Sequence, residues 1–154
     1  MNKKCYVIPV LLLFVIAGGI YKFIFQGSIS VNTDGRTSIH LNSDERNLVL
    51  TEMRLFLTSV QEITKAISEN DMKLVANHAR KVGRAAQGEV PGTLMGKLPL
   101  QFKQLGFDTH TKFDQLAMDT EDLGDSSHAL SQLSILMKNC ISCHAAYRID
   151  TSRN

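Results

Sequence analysis

Near its C-terminal end the chain reads Cys140-Ile141-Ser142-Cys143-His144, followed closely by Tyr147 and Arg148. Two thiols and an adjacent imidazole in C-x-x-C-H order are what covalent attachment of a c-type haem needs. Each sulfur adds to one vinyl group of the macrocycle, and the imidazole reaches the iron. Positions i, i+3 and i+4 share one helix face, so the macrocycle lies against that face. Two other chemistries use the same residue types. A thioredoxin-like C-x-x-C needs a βαβ context, and no strand pattern is read around the motif. A zinc site needs a fourth ligand nearby, and the third cysteine, Cys5, stands at the opposite end of the chain. One covalently bound haem c is therefore the expected cofactor.

The elements that must position this motif read as helices. Ser43 is the expected N-cap of the first, with Asp44 and Glu45 at its positive end. Val49, Met53, Phe56, Val60, Ile63 and Ile67 then recur at alternating spacings of four and three, the seam of a packed helix. Asn70-Asp71 ends it. Met72, Val75, Ala79, Val82 and Ala86 carry a second seam up to the break at residues 88–92, which Gly96 and Pro99 extend. Phe102 and Leu105 suggest a short turn before Gly106. Phe113, Leu116, Thr120 and Leu123 give a third helix ending at Gly124. Asp125 or Ser126 caps the last, whose expected seam is Leu130, Leu133, Met137, Cys140, His144 and Tyr147. The expected fold is all-α, an antiparallel four-helix bundle over 43–150. In such a bundle the start of the first helix lies beside the end of the last. At about 1.5 Å per residue, Met53 is roughly 15 Å from Ser43, and His144 is roughly 6–9 Å from its own helix end. A macrocycle between them meets Met53 on one face and His144 on the other.

Residues 1–25 read as a membrane segment. Lys3 and Lys4 precede an apolar run from Cys5 to Phe25, long enough to span a bilayer. Ala17-x-Gly19 offers a cleavage site, but the run continues through Ile20, Phe23, Ile24 and Phe25, which favours an uncleaved transmembrane anchor. The two lysines place the N-terminus in the cytoplasm and the rest across the membrane, where bacterial c-type haem is attached. Cys5 reads as a small apolar residue of this segment. Residues 26–42 read as a linker with a turn at Asp34-Gly35. A two-residue loop pairs Val31 with Ser38. A three-residue loop pairs Val31 with Ile39 and Ile29 with Leu41, giving a small hairpin. His40 reads as solvated.

Residues 43–150 resemble the class II c-type cytochromes, the cytochrome c-prime family. The likeness lies in the four helices, the C-terminal haem motif and the Tyr147-Arg148 pair behind it. It implies a bundle holding one haem with His144 as proximal iron ligand, and a redox or gas-binding role outside the cytoplasm. Within the family the sixth iron position is either open beneath an apolar side chain or filled by a first-helix Met. Met53 is the expected distal ligand of the second kind; its other reading is core filling. Leu57 is the lid of the first kind. Met137 stands on the haem's own helix, and Met95 is a secondary candidate. No Met follows His144, which excludes the architecture with an N-terminal haem motif and a downstream Met ligand. Arg148, and by a looser match Arg54, are expected near the haem propionates. His78, His110 and His128 read as surface histidines, with a second imidazole ligand from His78 or His110 as the remainder.

The chain has 154 residues, a formal net charge of +2, three cysteines and no Trp. That suits one domain plus an appendage, and no basic stripe suggests nucleic acid. No nucleophile, acid–base pair or phosphate loop points to an enzyme. Two function classes follow. One is an electron carrier tethered to the bacterial cytoplasmic membrane, with its haem domain in the periplasm and redox proteins at the membrane as partners. The other is a five-coordinate haem protein that binds nitric oxide or carbon monoxide. A homodimer fits either class.

Overall fold

The computed structural model describes residues 4–88 and 90–151. Lys3 and the side chains of Lys4 and Cys5, on which the expected topology and the reading of Cys5 rest, lie outside the described residues. The chain opens with helix α1, Lys4–Ile20, continued by π-helical winding over Tyr21–Gln26. The span Val7–Gln26 is long and apolar enough to cross a membrane, and none of it is buried against the rest of the protein.

Gly27 ends this span with φ +70°, and a Cβ there would strike the Lys97 carbonyl. Strands β1 (Ile29–Val31) and β2 (Thr37–Leu41) then form the hairpin. Its register is neither of those expected: Ile29 faces Ile39 and Val31 faces Thr37. The loop is five residues, Asn32 to Arg36, closed by Asn32 N donating to Arg36 O at 3.0 Å. Asp34 accepts from Arg36 N at 3.0 Å inside it. The segment is also more than a linker, because Ile39 and Leu41 are wholly buried.

Helix α2, Ser43–Ser68, is capped one residue earlier than expected. Asn42 accepts from Glu45 N at 2.8 Å, and the Glu45 carboxylate accepts from Asn42 N at 3.0 Å. This reciprocal capping box satisfies two helix-end donors. Buried Glu45 also receives Lys97 Nζ at 2.7 Å. Helix α3, Met72–Arg80, is shorter than its apolar pattern suggested. Val82 is buried, but the chain leaves the helix because Gly83 packs against Asp114. Asp114 also accepts from Arg84 N at 2.9 Å. A 3-10 turn follows over Arg84–Gln87 and leaves Ala86 exposed.

Two further differences concern the middle of the chain. The expected break contains a short helix, α4, Gly92–Lys97. Helix α5, Leu100–Leu123, runs unbroken through Gly106. A mid-helix Gly costs about 1 kcal/mol, and burial of Phe102 before it and Phe113 after it outweighs that. Gly124 ends α5 in the left-handed region, and Asp125 caps α6, Ser126–Ala146, by accepting from Ser127 N at 2.8 Å.

The last element was not expected at all. Tyr147–Thr151 is strand β3, not a continuation of the helix, and it pairs in parallel with β2. The described fold is thus mostly helical with one three-stranded sheet, in the order β1-β2-β3.

Two apolar clusters hold it together. One lies among α2, α3, α5 and α6 and centres on Ile63, Val75, Phe113, Leu116, Leu133 and Leu136. The other lies at the sheet end and joins Ile39, Leu41, Val49, Leu94, Leu98 and Phe102.

Against the first of them sits His110, read from sequence as a surface residue but only 3 % exposed. Its Nδ1 donates to Val82 O at 2.8 Å, its Nε2 lies 3.1 Å from Glu52, and Phe56 covers the ring at 4.9 Å. Burial by itself pushes the imidazole pKa down, but Glu52 and the Val82 carbonyl overcome this and raise it above the ordinary 6.5. The stability it contributes is complete below 6.5 and is lost as pH rises through the raised folded value. His110→Ala is expected to cost about 1–3 kcal/mol and to flatten that pH dependence. Denaturant titration followed by helix signal on both sides of the imidazole titration measures both effects.

Candidate functional site

Cys140 and Cys143 stand on the last two turns of α6, both half-buried and unpaired with each other. The core-facing seam of α6 is Ala129, Leu133, Leu136, Cys140 and Cys143, turned from the expected one. Small Ala129 and buried Leu136 bring this side against the core, while Leu130 and Met137 are exposed. Both cysteines therefore face inward. His144 is exposed at the edge of that face. Met137, Ile141 and His144 follow at i, i+4 and i+7, a stripe along this edge.

The thiols sit in apolar surroundings at the C-terminal, negative end of the helix. Burial pushes the Cys143 pKa up to about 11, and Cys140 beside it adds to the shift. Burial raises Cys140 as well. Reactive redox cysteines have the opposite setting, with pKa values lowered by a helix N-terminus or a cation.

Met53 reaches this place from α2. It is half-buried in the sheet-end cluster that also holds Cys143, Tyr147 and Met95. The expected juxtaposition of the first helix's start with the last helix's end is thus present. Leu57, one turn beyond Met53, is 70 % exposed, and Ile141 on α6 is 68 % exposed. Met95 enters the cluster from α4 with Leu94 and Leu98. The signal for these three was their spacing between Gly92 and Pro99, which the surrounding glycines and prolines obscured.

Tyr147 caps α6 and begins β3. Its ring stands edge-on to Phe102 at 5.4 Å, and its hydroxyl donates to Gln101 at 3.3 Å. Arg148 also lies on the strand. It binds Asp150 at 2.8 Å and approaches Asp34 at 3.6 Å, so its guanidinium braces the sheet. Arg54 is exposed on α2 and donates to Thr51 at 2.8 Å. His78 is half-buried, 3.9 Å from Glu62, and His128 lies 3.5 Å from Asp119. Neither belongs to the cluster that holds Cys143.

The donor set suits a haem: two inward thiols, an adjacent imidazole, and a thioether in the same apolar cluster. Leu57 on α2 and Ile141 on α6 also leave apolar surface exposed. Among the described residues no three His, Cys, Asp or Glu side chains gather as a metal site. A haem supplies its own nitrogen ligands and needs no such cluster. An open groove of ≈ 480 Å³ lies between α5 and the end of α6, lined by Gln101, Leu105, Asp108, Ser142 and Tyr147 among others. It includes none of Cys140, Cys143 and His144.

In the haem-free chain, iodoacetamide is expected to modify Cys143 slowly at neutral pH. The rate should climb as pH approaches about 11, because only the thiolate reacts. Rapid alkylation at neutral pH would restore the thiol-redox reading.

No family model, curated protein or solved structure matches this chain. The likeness to class II cytochromes therefore rests on the residues themselves.

Proposed function

We propose that the chain is a membrane-anchored class II c-type cytochrome, a four-helix bundle of α2, α3, α5 and α6 that carries one haem. Cys140 and Cys143 hold the haem through thioethers. His144 is the proximal iron ligand and Met53 the distal one. The haem supplies a one-electron couple, and the role is electron transfer outside the bacterial cytoplasmic membrane, with redox proteins at that membrane as partners.

One observation carries this reading. Cys143 and Met53, far apart in sequence, share the sheet-end cluster, and His144 follows Cys143 in the chain. The raised thiol pKa values disfavour the thiol oxidoreductase. The apolar surroundings favour a ligand pair of imidazole and thioether, which stabilises ferrous iron and raises the potential. The Val7–Gln26 span supports the anchor and, with the basic residues ahead of it, a periplasmic domain.

The second reading keeps the haem but leaves the sixth position open to nitric oxide or carbon monoxide. It is favoured by the packing of Met53 into the cluster, where the same side chain also serves as core filling.

Acidic acetone applied to the denatured protein is expected to leave all haem colour with the polypeptide. Haem that moves into the solvent would disprove attachment through Cys140 and Cys143.

The oxidised protein is expected to be low-spin, with a weak sulfur-to-iron band in the far red. Met53→Ala should make it high-spin, open it to carbon monoxide and lower its potential. A native protein that is already five-coordinate would put the gas-binding reading first.

A further inference from the structure

The span Val7–Gln26 has 20 residues. At about 1.5 Å per residue that is about 30 Å, the thickness of the bilayer's hydrocarbon core. No spacer follows. Ser28 N donates to Lys97 O at 2.7 Å immediately after Gly27. Lys103 Nζ donates to Ile24 O at 2.8 Å and to Met95 O at 3.2 Å, tying the last turn of the span to α4 and α5. Gly96 lies so close to the Phe23 ring that a Cβ there would overlap it. The domain thus begins where the hydrocarbon ends.

The surface around this exit is suited to lipid. Tyr21 stacks on Phe25 at 6.0 Å, an aromatic pair at the level where such rings favour the interface. Phe107, one turn beyond Lys103 on α5, is also exposed. Lys97 is engaged by Glu45 and Lys103 by carbonyl oxygens, while Lys22, in the last turns of the span, reaches only the neutral Gln26 side chain. A zwitterionic headgroup carries a phosphate that Lys22 can meet, so phosphatidylcholine suffices without a net-anionic lipid.

We propose that α4 and the first turns of α5 rest on phospholipid headgroups beside the exit of the anchor. This holds the end of the domain that bears Cys140, Cys143 and His144 at the membrane surface. The inference rests on the anchor reading given above. It follows from the junction, because Leu94 and Met95 of α4 share one cluster with Cys143.

The test uses the full chain in vesicles of phosphatidylcholine with a radiolabelled phosphatidylcholine tracer. A photoreactive benzoylphenylalanine replaces exposed Thr93 on α4 or, as the distant control, exposed Leu123 at the far end of α5. Irradiation is expected to label the chain with lipid from position 93 and to give only background from position 123. Gly27→Val, or Gly96→Leu as a second way to wedge the junction, should abolish the adduct at 93 while the chain still sediments with the vesicles. Background labelling at 93 in sedimenting vesicles overturns the surface contact. A chain that does not sediment overturns the anchor and the contact together. Lipid adducts at 93 from a chain without haem sink the cytochrome reading alone and leave the contact standing.

Discussion

Strand β3 begins at Tyr147, directly after α6 ends, and pairs along its length with β2. The pairing is parallel, with Thr37 opposite Tyr147 and Leu41 opposite Thr151. It fixes where α6 ends relative to where α2 begins, since Ser43 follows β2 after one residue. Cys143 and Met53 border the same cluster because of that. Ile39 and Leu41 could not be wholly buried without it, and edge-on packing of Tyr147 against Phe102 depends on the same turn out of the helix. A parallel pair needs a long crossover, and here the crossover is the entire helical domain.

The charged groups at this end serve the same placement. Glu45 closes the cap of α2 and holds Lys97 at the end of α4. Its two oxygens thereby accept three hydrogen bonds at a buried position, where an unpaired carboxylate would be costly. Arg148 is held by Asp34 and Asp150, which binds the hairpin loop to β3. The polar groups thus form a frame around the sheet end. The interior is left to sulfur and hydrocarbon, a setting in which thiols stay protonated and a thioether is a better neighbour than water.

Much of this was legible from residues and spacing. The C-x-x-C-H motif, the seam of α2, the acidic cap of α6 and the membrane-length span each carry a local signal. What was missed depends on distant partners. Tyr147–Thr151 has no strand signature of its own, and its partner lies across the whole domain. Gly83 stops α3 through the nearness of Asp114, which no periodicity reports. His110 is buried by Phe56, Glu52 and Val82 together, although its sequence neighbours are polar. The seam of α6 was set one residue off because Ala129 is a weaker apolar mark than Leu130, yet its small side chain is the one that packs inward. The same pattern turns His144 inward, whereas in the fold it is exposed.

The brevity of α3 has a consequence for how the interior is walled. Its nine residues cover only part of the longer helices α2 and α5. Beyond its end Val82 continues to line the helical cluster, and toward the sheet the wall is made by α4 and Leu98. That wall is held from several sides: Arg84 N donates to Asp114, Lys97 pairs with Glu45, Ser28 N donates to Lys97 O, and Leu94 and Leu98 are buried in the sheet-end cluster. The molecule therefore has two interiors of different make, one among long helices around Ile63 and Phe113 and one assembled from short pieces. A helix as short as α4 does not keep its shape alone, so the wall next to the cluster of Met53 and Cys143 exists only while the pieces around it stay docked.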